Sequence, residues 1–288
     1  MAGRTSPSSL LAIDAGNSRI KFGLFQPGRL SESASVWPEC REFFAISVDD
    51  PVPRETLQRW TGEEMSGVVI SGSNPPVVQR LLDGWDLGTS EPLVIRDCSS
   101  IPVATDVEFP ERVGLDRLLN TVAVNAIRPA SRAAVVIDSG TATTVDYVSA
   151  SGAFCGGAIL PGMELSAKAL HRYTALLPLL PVQELGRDEP KAPGRNTRDA
   201  IRNGLFWGQV GAIRELIRQL CRRRGHRVPD FDSAESDPDT PWLVLTGGGG
   251  PVLSPQFPSA LRLASLGMHG LVLTAWRGMR SEGSRGPV

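Results

Sequence analysis

The chain has 288 residues, 41% of them apolar, with 30 basic and 31 acidic side chains and a formal net charge of −1. That length allows one large domain or two ordinary ones, and the even charge balance excludes nucleic-acid binding through bulk electrostatics. No apolar run reaches the ~18–20 residues of a membrane span, and the polar start Met1 to Ser9, broken by Pro7, is unlike a secretory leader.

Leu10 to Asp14 has the pattern of a buried strand, and Lys21 to Gln26 alternates charged and apolar residues as a half-exposed strand does. Pro27-Gly28 predicts a turn, with Leu30 to Val36 returning as a third strand. Gly67 to Ser71 reads as a buried strand, Pro76 to Leu82 as a helix and Leu93 to Arg96 as a short strand. Asp116 to Ile127 carries Leu118, Leu119, Val122 and Ala126 at helical spacing, and Arg128-Pro129 ends that helix.

The second half repeats the order. Ala133 to Asp138 and Thr143 to Val148 predict two strands, and the Gly-rich Gly152 to Ile159 a third. Gly162 to His171 is helical, Ala175 to Pro181 is apolar but broken by prolines, and Asn196 to Arg224 is a long helix. Gly225 to Pro241 is acidic and Pro-containing, which predicts a mobile loop. Trp242 to Leu245 predicts a strand running into Gly247 to Gly250, and Leu266 to Met279 a final helix before a polar tail.

One phrase occurs in both halves. Leu11 to Ser18 reads L-A-I-D-A-G-N-S, and Val135 to Thr144 reads V-V-I-D-S-G-T-A-T-T. In each, an apolar strand ends in Asp, a small residue and Gly, so a β-hairpin presents free amides and hydroxyls. A Gly there lets phosphate approach the backbone, and the Asp suits a metal held through water. Taken singly, such a phrase is also an ordinary turn; two copies nearly half a chain apart favour phosphate. In this reading Asp14 faces Mg²⁺, Asn17 and Ser18 face phosphate, Lys21 adds positive charge, and Thr141 and Thr143 hold phosphates from the opposite wall.

The fold expected is α/β: two duplicated actin-like, ribonuclease-H-like domains, 1–127 and 128–288, with mixed sheets flanked by helices and a ligand cleft between them. Gly247 to Gly250 suits either an adenosine pocket or a plain loop. Asp116, in Gly114-Leu115-Asp116-Arg117, reads as a helix cap or as a base aimed at a substrate hydroxyl, with Arg117 binding an anion. Asn196-Thr197 reads as a cap, with the Thr hydroxyl a further substrate contact. Cys40, Cys98, Cys155 and Cys221 are scattered and form no C-x-x-C, which fits reduced thiols in a cytoplasmic protein.

The ordered set D-A-G-N-S, G-L-D-R (Gly114 to Arg117), D-S-G-T-A-T-T (Asp138 to Thr144), G-G-A-I-L-P-G (Gly156 to Gly162), N-T-R-D-A-I (Asn196 to Ile201) and T-G-G (Thr246 to Gly248) resembles the type III pantothenate kinases. These belong to the acetate-kinase, sugar-kinase, chaperone and actin superfamily. The resemblance implies ATP-dependent phosphorylation of the primary hydroxyl of pantothenate, the first step of coenzyme A synthesis. It makes Asp116 the general base, with Gly114, Leu115, Asp116, Arg117 and Thr197 at pantothenate. It puts ATP on Asp14, Ala15, Gly16, Asn17, Ser18, Arg19, Ile20, Lys21 and Thr141, and a potassium or ammonium ion on Asp138. Thr143, Gly247 and Gly248 are our added ATP candidates. A homodimer with its substrate site at the interface is implied, and we expect the helix from Asn196 to serve it. Many members carry Tyr-x-Asn-Pro before G-x-D-R; here that stretch is Val107-Glu108-Phe109-Pro110, so Val107 stands where a substrate-contacting Tyr is common. That departure motivates two alternatives, a non-catalytic regulatory homologue and a kinase for another small alcohol.

Overall fold

The computed structural model describes residues 9–29, 36–60, 65–86 and 91–282. It forms two compact units, one drawn from Met1–Val103, Glu108–Ile127 and Leu266–Val288, the other from Ala104–Val107 and Arg128–Ser265.

The first unit begins with β1 (Ser9–Ala15), β2 (Arg19–Arg29), β3 (Val36–Ser47), α1 (Arg54–Trp60), β4 (Met65–Ser71), α2 (Pro75–Asp83), β5 (Leu93–Val94) and α3 (Leu115–Ile127). The sheet order is β3-β2-β1-β4-β5. β2 runs antiparallel to β1 and β3, while β4 is parallel to β1 and β5 to β4. The expected turn at Pro27-Gly28 is instead paired strand, Pro27 opposite Pro38 and Gly28 opposite Trp37. The return strand expected over Leu30 to Val36 falls outside the described residues except at its last position, where β3 begins.

Alternation along β1 decides which helices each residue meets. Leu11, Ile13 and Ala15 join Leu57 of α1 and Val77, Val78 and Leu81 of α2 in one buried cluster. The even positions face the other side. Ala12 pairs with Gly23, whose missing side chain leaves room for Met268: an added Cβ would lie 3.0 Å from the Met268 methyl.

The second unit runs β6 (Ala134–Ser139), β7 (Ala142–Val148), β8 (Phe154–Pro161), α4 (Met163–Tyr173), α5 (Val182–Leu185), α6 (Thr197–Arg224), β9 (Trp242–Thr246), α7 (Gly250–Leu253) and β10 (Leu261–Arg262). Its sheet order, β10-β9-β6-β7-β8, reproduces the first sheet strand for strand. Val135, Ile137, Val145 and Tyr147 pack under Ile201, Phe206, Val210, Ile213 and Ile217 of α6. Asn196 caps α6 by accepting from the Asp199 amide at 2.9 Å, and Gly225 ends it in the left-handed conformation. The segment Ala104–Val107 extends this sheet edge: Phe154 N–H donates to Ala104 O and Asp106 N–H to Phe154 O, both at 2.8 Å. The expected mobile loop 225–241 is anchored, because Arg132 donates to the carbonyls of Thr240 and Asp237 and Phe231 is buried against Phe257.

The last helix, α8 (Leu266–Glu282), counts with the first unit, not with the second half of the sequence. Gly270 explains how it docks: an added Cβ there would lie 1.9 Å from Leu119 O, so α8 and α3 touch backbone to backbone. His269, on the same helix, stacks on Trp37, and burial lowers its pKa to about 4, so the imidazole is neutral at pH 7.

Candidate active site

In the first unit, β1 and β2 meet at Ala15 and Ile20, and the four residues between them form the turn. Gly16 N–H closes it on Arg19 O at 3.0 Å. Asp14 stands opposite Lys21 across the strand pair, and their side chains form an ion pair of 2.9 Å that is partly exposed. Asn17 Nδ2 donates to Ser73 Oγ at 3.4 Å, so the turn is braced from the loop after β4.

Asp14 is an even position of β1 and so shares the sheet face of Ala12, the side of α8 and its neighbour α3. Asp116 sits in the first turn of α3 and accepts the Arg117 amide at 2.9 Å. Its carboxylate curls back over Gly114, where an added Cβ would lie 2.5 Å from Oδ1. A side chain at 114 would therefore make that carboxylate move. Asp116 is exposed as a residue, yet protein crowds its carboxyl group. Desolvation raises its pKa above the ordinary carboxylate value. The Asp14 charge raises it further, and the Arg117 amide, the Arg117 charge and Lys21 oppose the rise. The charges of Asp14 and Lys21 thus act on the Asp116 carboxyl group in opposite directions.

The second unit repeats the turn one residue shorter, with Ser139 opposite Thr143 and Gly140 N–H donating to Ala142 O at 3.0 Å. Thr141 is exposed. Thr143 is not: it shares the face of Ile137 and Val145, lies wholly under the α6 layer and is 0% exposed, with no hydrogen-bond partner for its hydroxyl among the described residues. The Thr143 side chain is therefore not available for a direct phosphate contact. Asp138 lies on the opposite face with Thr144 and Asp146, where Thr144 Oγ1 donates to Asp146 at 3.0 Å.

The Gly-rich stretch divides by role. Gly247 has φ +86, and an added Cβ would lie 2.4 Å from Ser139 O and 2.5 Å from Asp138 Oδ1. Gly249 is as crowded, 2.2 Å from Ser139 Oγ, and its amide donates to Ser139 O at 2.8 Å. These two are glycines because the loop presses on the second turn. Gly248 meets nothing within 4 Å and is the one of the three free to face a ligand.

Sequence reasoning missed the first unit's counterpart of this loop. Ser71 pairs with Asp14 as Thr246 pairs with Asp138. An added Cβ on Gly72 would lie 2.2 Å from Ala15 O, and Asn74 N–H donates to that carbonyl at 3.2 Å. I-S-G-S-N-P (70–75) thus performs for the first turn what L-T-G-G-G-G-P (245–251) performs for the second. The signal was present as Ser or Thr then Gly at the end of a buried strand.

Val107 belongs to the second unit, on the segment added to the β8 edge, near Gly156 whose added Cβ would lie 3.6 Å from Val107 Cγ1. Thr197 is exposed at the first position of α6, and Asn196 performs the capping, which leaves the Thr hydroxyl without that duty. Among the described residues no cluster of three His, Cys, Asp or Glu side chains is placed to hold a metal, and no helix is long and apolar enough to cross a membrane.

Residues 10–219 match the family model described as type III pantothenate kinase. A protein of that name from Gluconobacter oxydans is 42% identical over 287 residues, covering 93% of each chain. Another from Cereibacter sphaeroides is 33% identical over 278 residues, covering 92% of this chain and 96% of its own. Among solved structures, the Lmo2764 protein of Listeria monocytogenes superposes with a TM-score of 0.50 over 94% of this chain and 99% of its own. At 12% identity that likeness bears on the fold alone.

Proposed function

This chain belongs to the type III pantothenate kinases and phosphorylates pantothenate with ATP, the entry step of coenzyme A synthesis; we propose that Asp116 is the base of that reaction. The observation that carries the assignment is the placement of Asp116 in the first turn of α3, its carboxylate held over Gly114 and the charges of the Asp14–Lys21 ion pair acting on it.

Phosphoryl transfer asks a protein mainly for positioning and charge neutralisation. Kinase chemistry brings ATP with a divalent ion, which screens the phosphate oxygens when bound; Asp14, a partly exposed carboxylate beside the first turn, would hold it through water. Residues Ala15 to Ile20 offer turn amides and hydroxyls to phosphate, and Lys21 adds positive charge. On the second unit, Thr141 offers a hydroxyl and Gly248 an open backbone, and Asp138 with its oxygen-rich neighbours would take a potassium or ammonium ion. Asp116 accepts the proton of the pantothenate hydroxyl. Its pKa, raised by desolvation, makes it a better base than an ordinary aspartate. Gly114, Leu115 and Arg117, with Thr197 and Val107, form the substrate contacts, Arg117 pairing with the pantothenate carboxylate.

The homodimer reading gains support from α6. Ala200, Gly204, Gly208 and Gly211 share one exposed face, and Cβ atoms added at the three glycines would meet nothing within 4 Å. Cytoplasmic residence fits the four free cysteines.

The test is ADP formation by purified protein with Mg²⁺, with and without pantothenate, in potassium and then in sodium. Pantothenate-dependent turnover that needs potassium supports the substrate and cation assignments. ATP binding with no turnover on pantothenate removes the substrate assignment, with Val107 the first suspect.

A further inference from the structure

α6 buries Ile201, Phe206, Val210, Ile213, Ile217 and Cys221 along its inner face, and one polar side chain lies among them. Gln209 is 7% exposed. Its Nε2 donates to Pro161 O at 2.6 Å, and its Oε1 is buried with no partner among the described residues. A buried amide oxygen without a partner costs free energy that Leu or Met would not incur at this position. Packing therefore does not account for a Gln here.

The bond it makes leads to the second phosphate turn. Pro161 is the last residue of β8, paired with Ala142, and the next residue, Gly162, donates its N–H to Thr141 O at 3.0 Å. Gly162 is pressed so closely onto the turn that an added Cβ would lie 2.3 Å from Gly140 O and 2.7 Å from Thr141 O. A shift of Pro161 is thus transmitted to Gly140 and Thr141 with no slack to absorb it.

We propose that Gln209 is a positioning residue that holds the second phosphate turn in its ATP-binding geometry by anchoring Pro161. This rests on the reading of Thr141 as an ATP contact.

The test measures ATP affinity by calorimetry without pantothenate, alongside melting temperature, for Gln209→Leu, Gln209→Glu and Thr141→Ala in the full chain. Gln209→Leu should melt at or above the wild-type temperature yet bind ATP about five- to tenfold more weakly, as expected for one lost hydrogen bond. Gln209→Glu should lose affinity at alkaline pH and regain it as the pH falls, because a protonated carboxyl again donates to Pro161 O. If Gln209→Leu does not fold, the pH response of Gln209→Glu decides alone. ATP affinity unchanged in both Gln209 variants, with Thr141→Ala weakened, overturns this proposal and leaves the Thr141 assignment standing. Affinity unchanged in all three overturns both.

Discussion

Asp116 is placed so that function and stability pull in opposite directions. Its carboxyl group is desolvated and lies near the Asp14 charge, so its pKa in the folded chain exceeds the ordinary ~3.9 of an unfolded aspartate. The ionised form is therefore the unfavourable one in the fold. Below the unfolded pKa both states are protonated and Asp116 contributes nothing; as pH rises through the folded pKa the fold loses stability. Asp116→Asn should consequently raise the melting temperature at neutral pH, with the gain vanishing in acid, while kcat falls about 10²–10⁴-fold and ATP still binds. The wild-type rate should fall as acid protonates the base, beginning above the pH of an ordinary aspartate. Turnover near wild type in the Asn variant would reduce Asp116 to a helix cap. Thr143 gives a second residue-scale test, since its buried hydroxyl has no partner. Thr143→Val should be neutral or stabilising by up to about 1 kcal/mol and leave the KM for ATP unchanged, whereas Thr141→Ala should raise it. A higher ATP KM in Thr143→Val would return that hydroxyl to the phosphate site.

The hairpin turns were legible at the level of elements because their chemistry is local: an apolar strand, Asp, a small residue and Gly are adjacent in sequence. The loops that press on those turns were less legible because the contact is long-range. Gly72 and Gly247 are glycines on account of Ala15 and Ser139, residues on neighbouring strands, and S-G-S-N reads locally as a generic turn. α1 was missed for a related reason: only Leu57 of its seven residues is buried, too little to register as helical periodicity. The contrast within the Gly-rich loop is testable. Gly247→Ala forces a left-handed backbone on alanine and drives its Cβ into Ser139 O, so the fold should lose at least ~1–3 kcal/mol. Gly248→Ala meets nothing and should melt like wild type, any effect appearing in ATP affinity alone. Equal melting temperatures for the two variants would contradict the packing described. Asp138→Ala should abolish stimulation by potassium; a variant stimulated as strongly as its parent would remove the cation from Asp138.

Across the whole molecule the duplication was visible as two repeated phrases, and the sheets repeat strand for strand. The assignment of α8 was not visible, because chain order says nothing about which sheet a terminal helix covers; the contact of Gly270 with Leu119 decides it. The same reasoning about glycine bears on assembly. A glycine on an exposed helix face costs roughly 0.5–1 kcal/mol relative to alanine and contributes no packing of its own. Gly204, Gly208 and Gly211 repeat that cost along one face of α6, although neighbouring positions on the helix carry good helix formers such as Leu205 and Ala212. If the face were merely solvated, Gly208→Ala would stabilise the chain by about that amount at every protein concentration. If a second copy lies against it, the glycines permit backbones to approach, and a side chain there holds them apart. We therefore expect the wild type to sediment as a dimer at micromolar concentration and Gly208→Glu to sediment as a monomer, with pantothenate turnover falling along with the dimer if the substrate site lies at the interface. A wild-type monomer, or a Gly208→Glu dimer as tight as its parent, would move the interface off α6 and leave the exposed apolar side chains of Ile159, Tyr173 and Leu176 as the next surface to substitute.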